Sequence, residues 1–475
     1  MKPHNDRKRH SNRDVHATAS VTTSPDSTLP SYSISVGGLT LTNCTSSGIV
    51  SSREYDALGR VAASTDGRGN TTTLSYDAQG RVAYSEDALG NRTTLGYDAL
   101  GRQVAVTNAL GEATYTAYDA ENRVVSTWGA TYPVAYAYDD YGRMTAMNTF
   151  RDEAMQNGDT TTWLYHEPTG LLTNKVYADG KGPSYTYTPD GKLATRTWAR
   201  GIATAYAYNA AGQLTGVDYS DATPDVAYTY DRLGRQKVAQ TFLSAHHYAY
   251  DPATLAMVSE TIIDLQAGTS NVISRATDAL GRSTGLSVAG VGDPGQPYSV
   301  AYGYDAYGRF QSVESAQSAD TFTYTYLSGS DLVSGMTASS GHAWSRSYEP
   351  ARSLITAVEN RFGETVISRF DYENDAIGRR TSRADSGQAF TNPGFDVYSY
   401  NDRSEVVGAQ RYHGTNPADT SQPFGGRGFS YDYDPIGNRL SASETVGGET
   451  LTKEYTANAL NQYTAIANPD AVGLR

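Results

Sequence analysis

YDALGR occupies residues 55–60, returns unchanged at 97–102, and recurs in close spellings almost to the end of the chain. A catalytic motif serves once per site, whereas a packing unit serves at every recurrence. Tyr55, Tyr76, Tyr97 and Tyr118 follow one another at 21 residues (76 − 55, 97 − 76, 118 − 97), and Tyr138 comes 20 later (138 − 118). The register then stretches through Tyr165, Tyr187, Tyr208, Tyr230, Tyr250, Thr277, Tyr304, Tyr326, Tyr348, Tyr372, Tyr400, Tyr433 and Tyr455, with loop insertions expected in the wider gaps. A second turn signal lies between the early tyrosines: TDGRGN at 65–70, EDALGN at 86–91 and TNALGE at 107–112. One unit therefore holds two turns and two short strands.

Around the motif, tyrosines recur at i and i+2, as in Tyr136/Tyr138, Tyr228/Tyr230 and Tyr302/Tyr304. A period of two places both rings on one face of a strand. The stretches after it, such as RVAAST and RQVAVT, carry the Val and Thr content of strands. The motif itself spells a hairpin corner, a type I turn followed by a bulge. Asp56 accepts from backbone N–H groups of the turn, Ala57 and Leu58 take the right-handed conformation, and Gly59 takes the left-handed one, which a Cβ would strain. Tyr55 and Arg60 flank the corner, and the guanidinium is placed to lie over a Tyr ring of its own or the next unit. The same geometry is expected at Tyr76, Asp77, Gly80 and Arg81, at Tyr97, Asp98, Gly101 and Arg102, and at Tyr138, Asp139, Gly142 and Arg143. It extends to Tyr230, Asp231, Gly234 and Arg235, and to Tyr304, Asp305, Gly308 and Arg309. A single hairpin buries too little surface to be stable, so the copies must stack.

Composition narrows the function classes. The hydrophobic fraction is 38%, and that includes the 37 tyrosines, so tyrosine is expected to supply much of the core. A formal charge of −13 argues against a nucleic-acid groove, which concentrates Lys and Arg. Cys44 is the only cysteine, so no disulfide framework or cysteine-rich metal site is expected. No run approaches the ~20 apolar residues of a membrane span, and no secretory signal is visible. Residues 1–30 are polar and aperiodic and read as a disordered leader; 31–475 read as one repeat body.

The Tyr-Asp motif with Gly-Arg at this spacing resembles the YD repeats of bacterial rearrangement-hotspot (Rhs) proteins, shared by wall-associated proteins, toxin-complex shells and teneurins. The resemblance covers about residues 31–475. It implies an all-β hairpin ribbon coiled into a hollow shell or open barrel segment, secreted or held at the cell surface. In bacterial members such a shell encloses a C-terminal toxin or effector. Those chains continue into a core-associated segment with a D-P-x-G-type signature, whereas this sequence stops at NPDAVGLR. Any effector is therefore expected beyond Arg475, as a continuation of the same chain. YDPIGN at 433–438 sits in repeat register and reads as another turn.

Enzyme signatures are absent: no G-x-S-x-G, no H-E-x-x-H, no P-loop and no G-x-G-x-x-G before a helix. His246 and His247 are strand neighbours that point to opposite faces, and Asp432 and Asp434 lack the later Glu of a calcium loop. The reading is a non-catalytic shell or scaffold of a polymorphic toxin system, with no cofactor and no metal. The alternative is a cell-surface adhesion or carbohydrate-binding protein, whose glycan contacts would use ring rows or Trp128, Trp163, Trp198 and Trp344.

Overall fold

The computed structural model describes residues 17–23, 30–36, 39–44, 50–290, 298–318, 320–446 and 448–468. Among them there are thirty-nine β-strands and no helix, from Ala17–Thr23 to Tyr463–Ala467. Most of the expected leader lies outside the described residues; within it, Ala17–Thr23 pairs with Pro30–Val36.

Every strand pairs antiparallel with its chain neighbours, so the sheet is one continuous meander. The first and last strands each have a single partner, and the sheet does not close edge to edge. At each YD corner the register slips by one residue beside the tyrosine: Glu54/Tyr55, Ser75/Tyr76, Gly96/Tyr97, Ala137/Tyr138, Thr229/Tyr230 and Gly303/Tyr304. That is the bulge the turn chemistry requires, and bulges increase the local twist of a sheet.

The sheet is one layer thick over most of its area. A compact chain of 51.1 kDa exposes about 17,000 Å², yet this one exposes 28523 Å². Among the described residues, buried hydrophobic side chains are few and scattered, Ala63, Phe150, Val217, Ala357 and Phe395 among them, and none is a tyrosine. The expected tyrosine core is therefore not there. With no second layer behind the sheet, the YD rings are half-buried between neighbouring hairpins.

Turns after even-numbered strands form one rim of the ribbon, the YD rim, and turns after odd-numbered strands form the opposite rim. The ribbon coils until the two rims meet. Arg68 follows the fifth strand (Val61–Thr65). It donates to the carbonyls of Glu349, Pro350 (3.0 Å) and Arg352 (3.1 Å) after the thirtieth strand (His342–Tyr348). Arg379, after the thirty-second strand (Thr365–Asn374), reaches Glu112, after the ninth (Gln103–Thr107), at 3.4 Å. Tyr132, after the eleventh strand (Val124–Gly129), meets Glu405, after the thirty-fourth (Gly394–Tyr400), at 3.4 Å. Arg151, after the thirteenth (Met144–Phe150), reaches Ala457 O at 3.3 Å and Asn458 O at the end of the thirty-eighth (Glu449–Ala457). One turn of the coil thus takes 23 to 25 strands (30 − 5, 32 − 9, 34 − 11, 38 − 13).

Candidate interface: the corner ladder and the seam

The corner at Tyr55–Arg60 is closed by Asp56 N–H donating to Arg60 O and Gly59 N–H donating to Asp56 O, both at 2.9 Å. Asp56 Oδ1 accepts from the N–H groups of Leu58 and Arg60, each at 2.9 Å. Its Oδ2 accepts from Arg60 Nε at 2.7 Å. Gly59 has φ of 77°, and Gly80, Gly101, Gly142, Gly234 and Gly308 lie between 78° and 83°. The carboxylate–guanidinium bond recurs at 2.7 Å in Asp77–Arg81, Asp98–Arg102 and Asp139–Arg143, at 2.6 Å in Asp231–Arg235 and at 2.8 Å in Asp305–Arg309. Sequence reading gave Asp only its backbone bonds. The i,i+4 spacing of Asp and Arg in these six copies was the signal for the second one.

Each corner is fastened to the next. Arg60 lies 4.1 Å from the Tyr76 ring centroid, Arg81 4.4 Å from Tyr97, Arg102 4.9 Å from Tyr118, Arg143 4.6 Å from Tyr165, Arg235 4.3 Å from Tyr250 and Arg309 4.1 Å from Tyr326. Of the two ring partners the sequence left open, the next unit's is used throughout this series, and Arg143 and Arg309 also lie 5.0 Å from rings of their own corners, Tyr141 and Tyr307. The Tyr hydroxyl then donates to the carbonyl just past the preceding corner: Tyr76 to Val61 at 2.6 Å, Tyr97 to Val82 at 2.9 Å and Tyr304 to Ser283 at 2.8 Å, each past an Arg, and Tyr230 to Leu214 at 2.6 Å, past Gln213. A guanidinium held by a carboxylate on its edge and a ring on its face is fixed in both directions.

Two motif members move. The hairpin expected at Tyr372 turns at Asp375, so Asn374 takes the tyrosine place, and Asn374 Nδ2 reaches Ile355 O at 3.4 Å in the hydroxyl's stead. The one expected at Tyr455 turns at Asn458, with Ala457 in that place. YDPIGN is a turn as expected, Asp434 accepting from Asn438 N at 2.7 Å. His246 bonds Glu260 at 2.9 Å while His247 faces solvent.

The electrostatics follow the bonding. Bonds from the backbone and side chain of Arg60 hold the Asp56 carboxyl below the usual carboxylate range. At Asp77, Asp98, Asp139 and Asp231 burial pushes upward, but the bonds from the paired Arg outweigh it and the net shift is down. At the seam Asp375 behaves alike beside Arg379. No three His, Cys, Asp or Glu residues converge as metal ligands among the described residues. A cleft of about 540 Å³ between Ala207 and Phe242 carries Asp218 and Asp225 as its only ionisable groups. The ordered chemistry of this chain is in its corners and its seam.

The comparisons agree with that geometry. The RHS Repeat model matches residues 55–86 and 85–113, and the Teneurin YD-shell model matches 103–253. The chain carries YD repeats of the Rhs and teneurin-shell type. No curated protein matches the chain. Among solved structures, the TcdB2-TccC3-Cdc42 crystal structure superposes with a TM-score of 0.58 at 14% identity, over 90% of this YD-repeat chain and 26% of that one. The chain thus spans about a quarter of the length of that relative and shares its fold. The Photorhabdus luminescens Tc holotoxin pore is also similar, at 13% identity and a TM-score of 0.34, over 95% of this chain and 32% of that one.

Proposed function

We propose that this YD-repeat chain is the wall of a container for a polypeptide cargo, an effector borne C-terminal to the repeats, and that it works outside the cell that makes it. A shell-type scaffold is what the repeats and the fold support. The observation that carries the container reading is a ribbon that meets itself after one turn while burying almost nothing behind it. Strands about 4.8 Å apart, 23 to 25 to the turn, give a circumference of about 110–120 Å and a diameter of about 35–38 Å. Allowing about 10 Å for the side chains of the wall leaves an opening of about 25–28 Å, wide enough for a polypeptide. The wall needs no catalysis for this role. Its YD rings are committed to guanidinium and carbonyl partners, which favours a structural use over glycan stacking.

The test uses the native particle from its source cells. Protease is added before and after the coil is opened with denaturant, and the products are weighed. The container reading predicts a polypeptide in addition to the 51.1 kDa of repeats, protected in the native particle and digested once it is opened. A particle with no additional polypeptide, or one whose additional polypeptide is digested as fast in the native state, would overturn it.

A further inference from the structure

The seam within the chain is made by the YD rim of the second coil seated on the opposite rim of the first. About one full coil of each rim, 23 to 25 strands, lacks that contact. At the seam, the apolar tips Ile377, Ile436 and Leu460 of YD corners are half-buried. At the same tip position in the first coil, Leu58 is 77% exposed, Leu100 73%, Tyr141 80% and Leu233 66%. The opposite rim beyond the seam carries its own exposed apolar groups, with Phe242 at 65% and Phe362 at 59%, and Leu265 and Trp198 nearby on the same rim. One rim thus repeats, uncovered, a surface that the chain covers elsewhere with the other.

We propose that the free YD rim of one copy of this chain docks on the free opposite rim of a second copy, continuing the coil from molecule to molecule. The partner is argued from the seam itself, where these two rims already fit. Corner tips rest against the opposite turns at Gly329 and Gly67, and Arg68 caps three carbonyls of a YD corner. The contact is heterologous, because the two rims differ, so it leaves one rim free on each end and extends as a stack. Each copy carries a charge of −13, so salt screening strengthens the association.

Sedimentation across concentration and salt tests this, with two variants substituted only at exposed tips. The first carries Leu58→Asp, Leu100→Asp and Leu233→Asp; the second carries Phe242→Asp and Phe362→Asp. Expected are a wild-type mass that climbs past 51.1 kDa with concentration, more steeply in high salt, and monomers for either variant alone. An equal mixture of the two variants has one intact rim of each kind and is expected to stop at a one-to-one dimer. A wild type that stays monomeric at every concentration would overturn the proposal, as would variants that still associate alone or a mixture that stays monomeric.

Discussion

Two glycines at comparable left-handed corner positions separate the energy of the turn from that of the coil. Gly101 has φ of 83° and Gly329 has φ of 71°, so an alanine at either meets the same backbone strain, about 1 kcal/mol. Around Gly101 the added Cβ meets nothing nearer than Arg81 Nη1 at 3.6 Å, ordinary contact. At Gly329 it falls 2.2 Å from Gly67 O and 3.0 Å from Gly67 C, backbone atoms of the first coil that a side-chain rotation does not remove. Restoring a contact of about 3.5 Å means parting the seam or bending the corner by more than an ångström, which adds about 1–3 kcal/mol. Gly101→Ala is therefore expected to cost about 1 kcal/mol and Gly329→Ala about 2–4 kcal/mol. Urea unfolding followed by far-ultraviolet dichroism measures both. Equal costs for the two substitutions would refute the reasoning, because they would mean that Gly67 and Gly329 are not neighbours.

Arg68→Ala removes three donor contacts from the carbonyls of Glu349, Pro350 and Arg352. It is expected to cost about 1.5–3 kcal/mol and to enlarge the hydrodynamic radius; combined with Gly329→Ala the loss should fall short of the sum, since both open one seam. Tyr97→Phe deletes the 2.9 Å bond to Val82 O and should cost about 1 kcal/mol. Tyr141→Phe, at a ring 80% exposed, should lie within about 0.5 kcal/mol of the wild type in the same urea titration. The corner carboxyls Asp56, Asp77, Asp98, Asp139 and Asp231 are held below their ordinary range. The unfolded chain therefore binds more protons in acid. Their stabilisation is present above a pH of about 4 and is lost as pH falls below it through the folded values. The melting midpoint should drop between pH 5 and pH 3, and a midpoint that held or rose on acidification would contradict the corner electrostatics.

The corner was legible because its information is local. Asp56, Gly59 and Arg60 fall within one turn, and each needs only the physics of that turn to be placed. The fastening of Arg60 on Tyr76 was half legible: a ring partner was required, and strand spacing alone left two choices. The half-burial of the tyrosines was not, since nothing in a period of two says whether a second layer covers the face. Tyr372 and Tyr455 were misplaced for a related reason. In YENDAIGR the eye follows the ring, whereas the chain follows Asp375 and Gly378, which carry the turn bonds. Least legible was the seam, which joins residues nearly 300 apart (352 − 68) through backbone carbonyls that have no sequence signature. Arg68, an arginine where the neighbouring opposite-rim turns have Leu89 and Leu110, was its one local trace.

The coil itself is the central claim, and a distance measures it most directly. Spin labels placed at Asn70 and Ser353, in a chain with Cys44→Ser, flank the contact of Arg68 with Arg352 O, which is 3.1 Å long. The coil predicts a dipolar coupling at side-chain-neighbour range between the two labels. A ribbon that ran on without returning would hold them about 120 Å apart, 25 strands at about 4.8 Å each, and the absence of any short-range coupling would contradict the account.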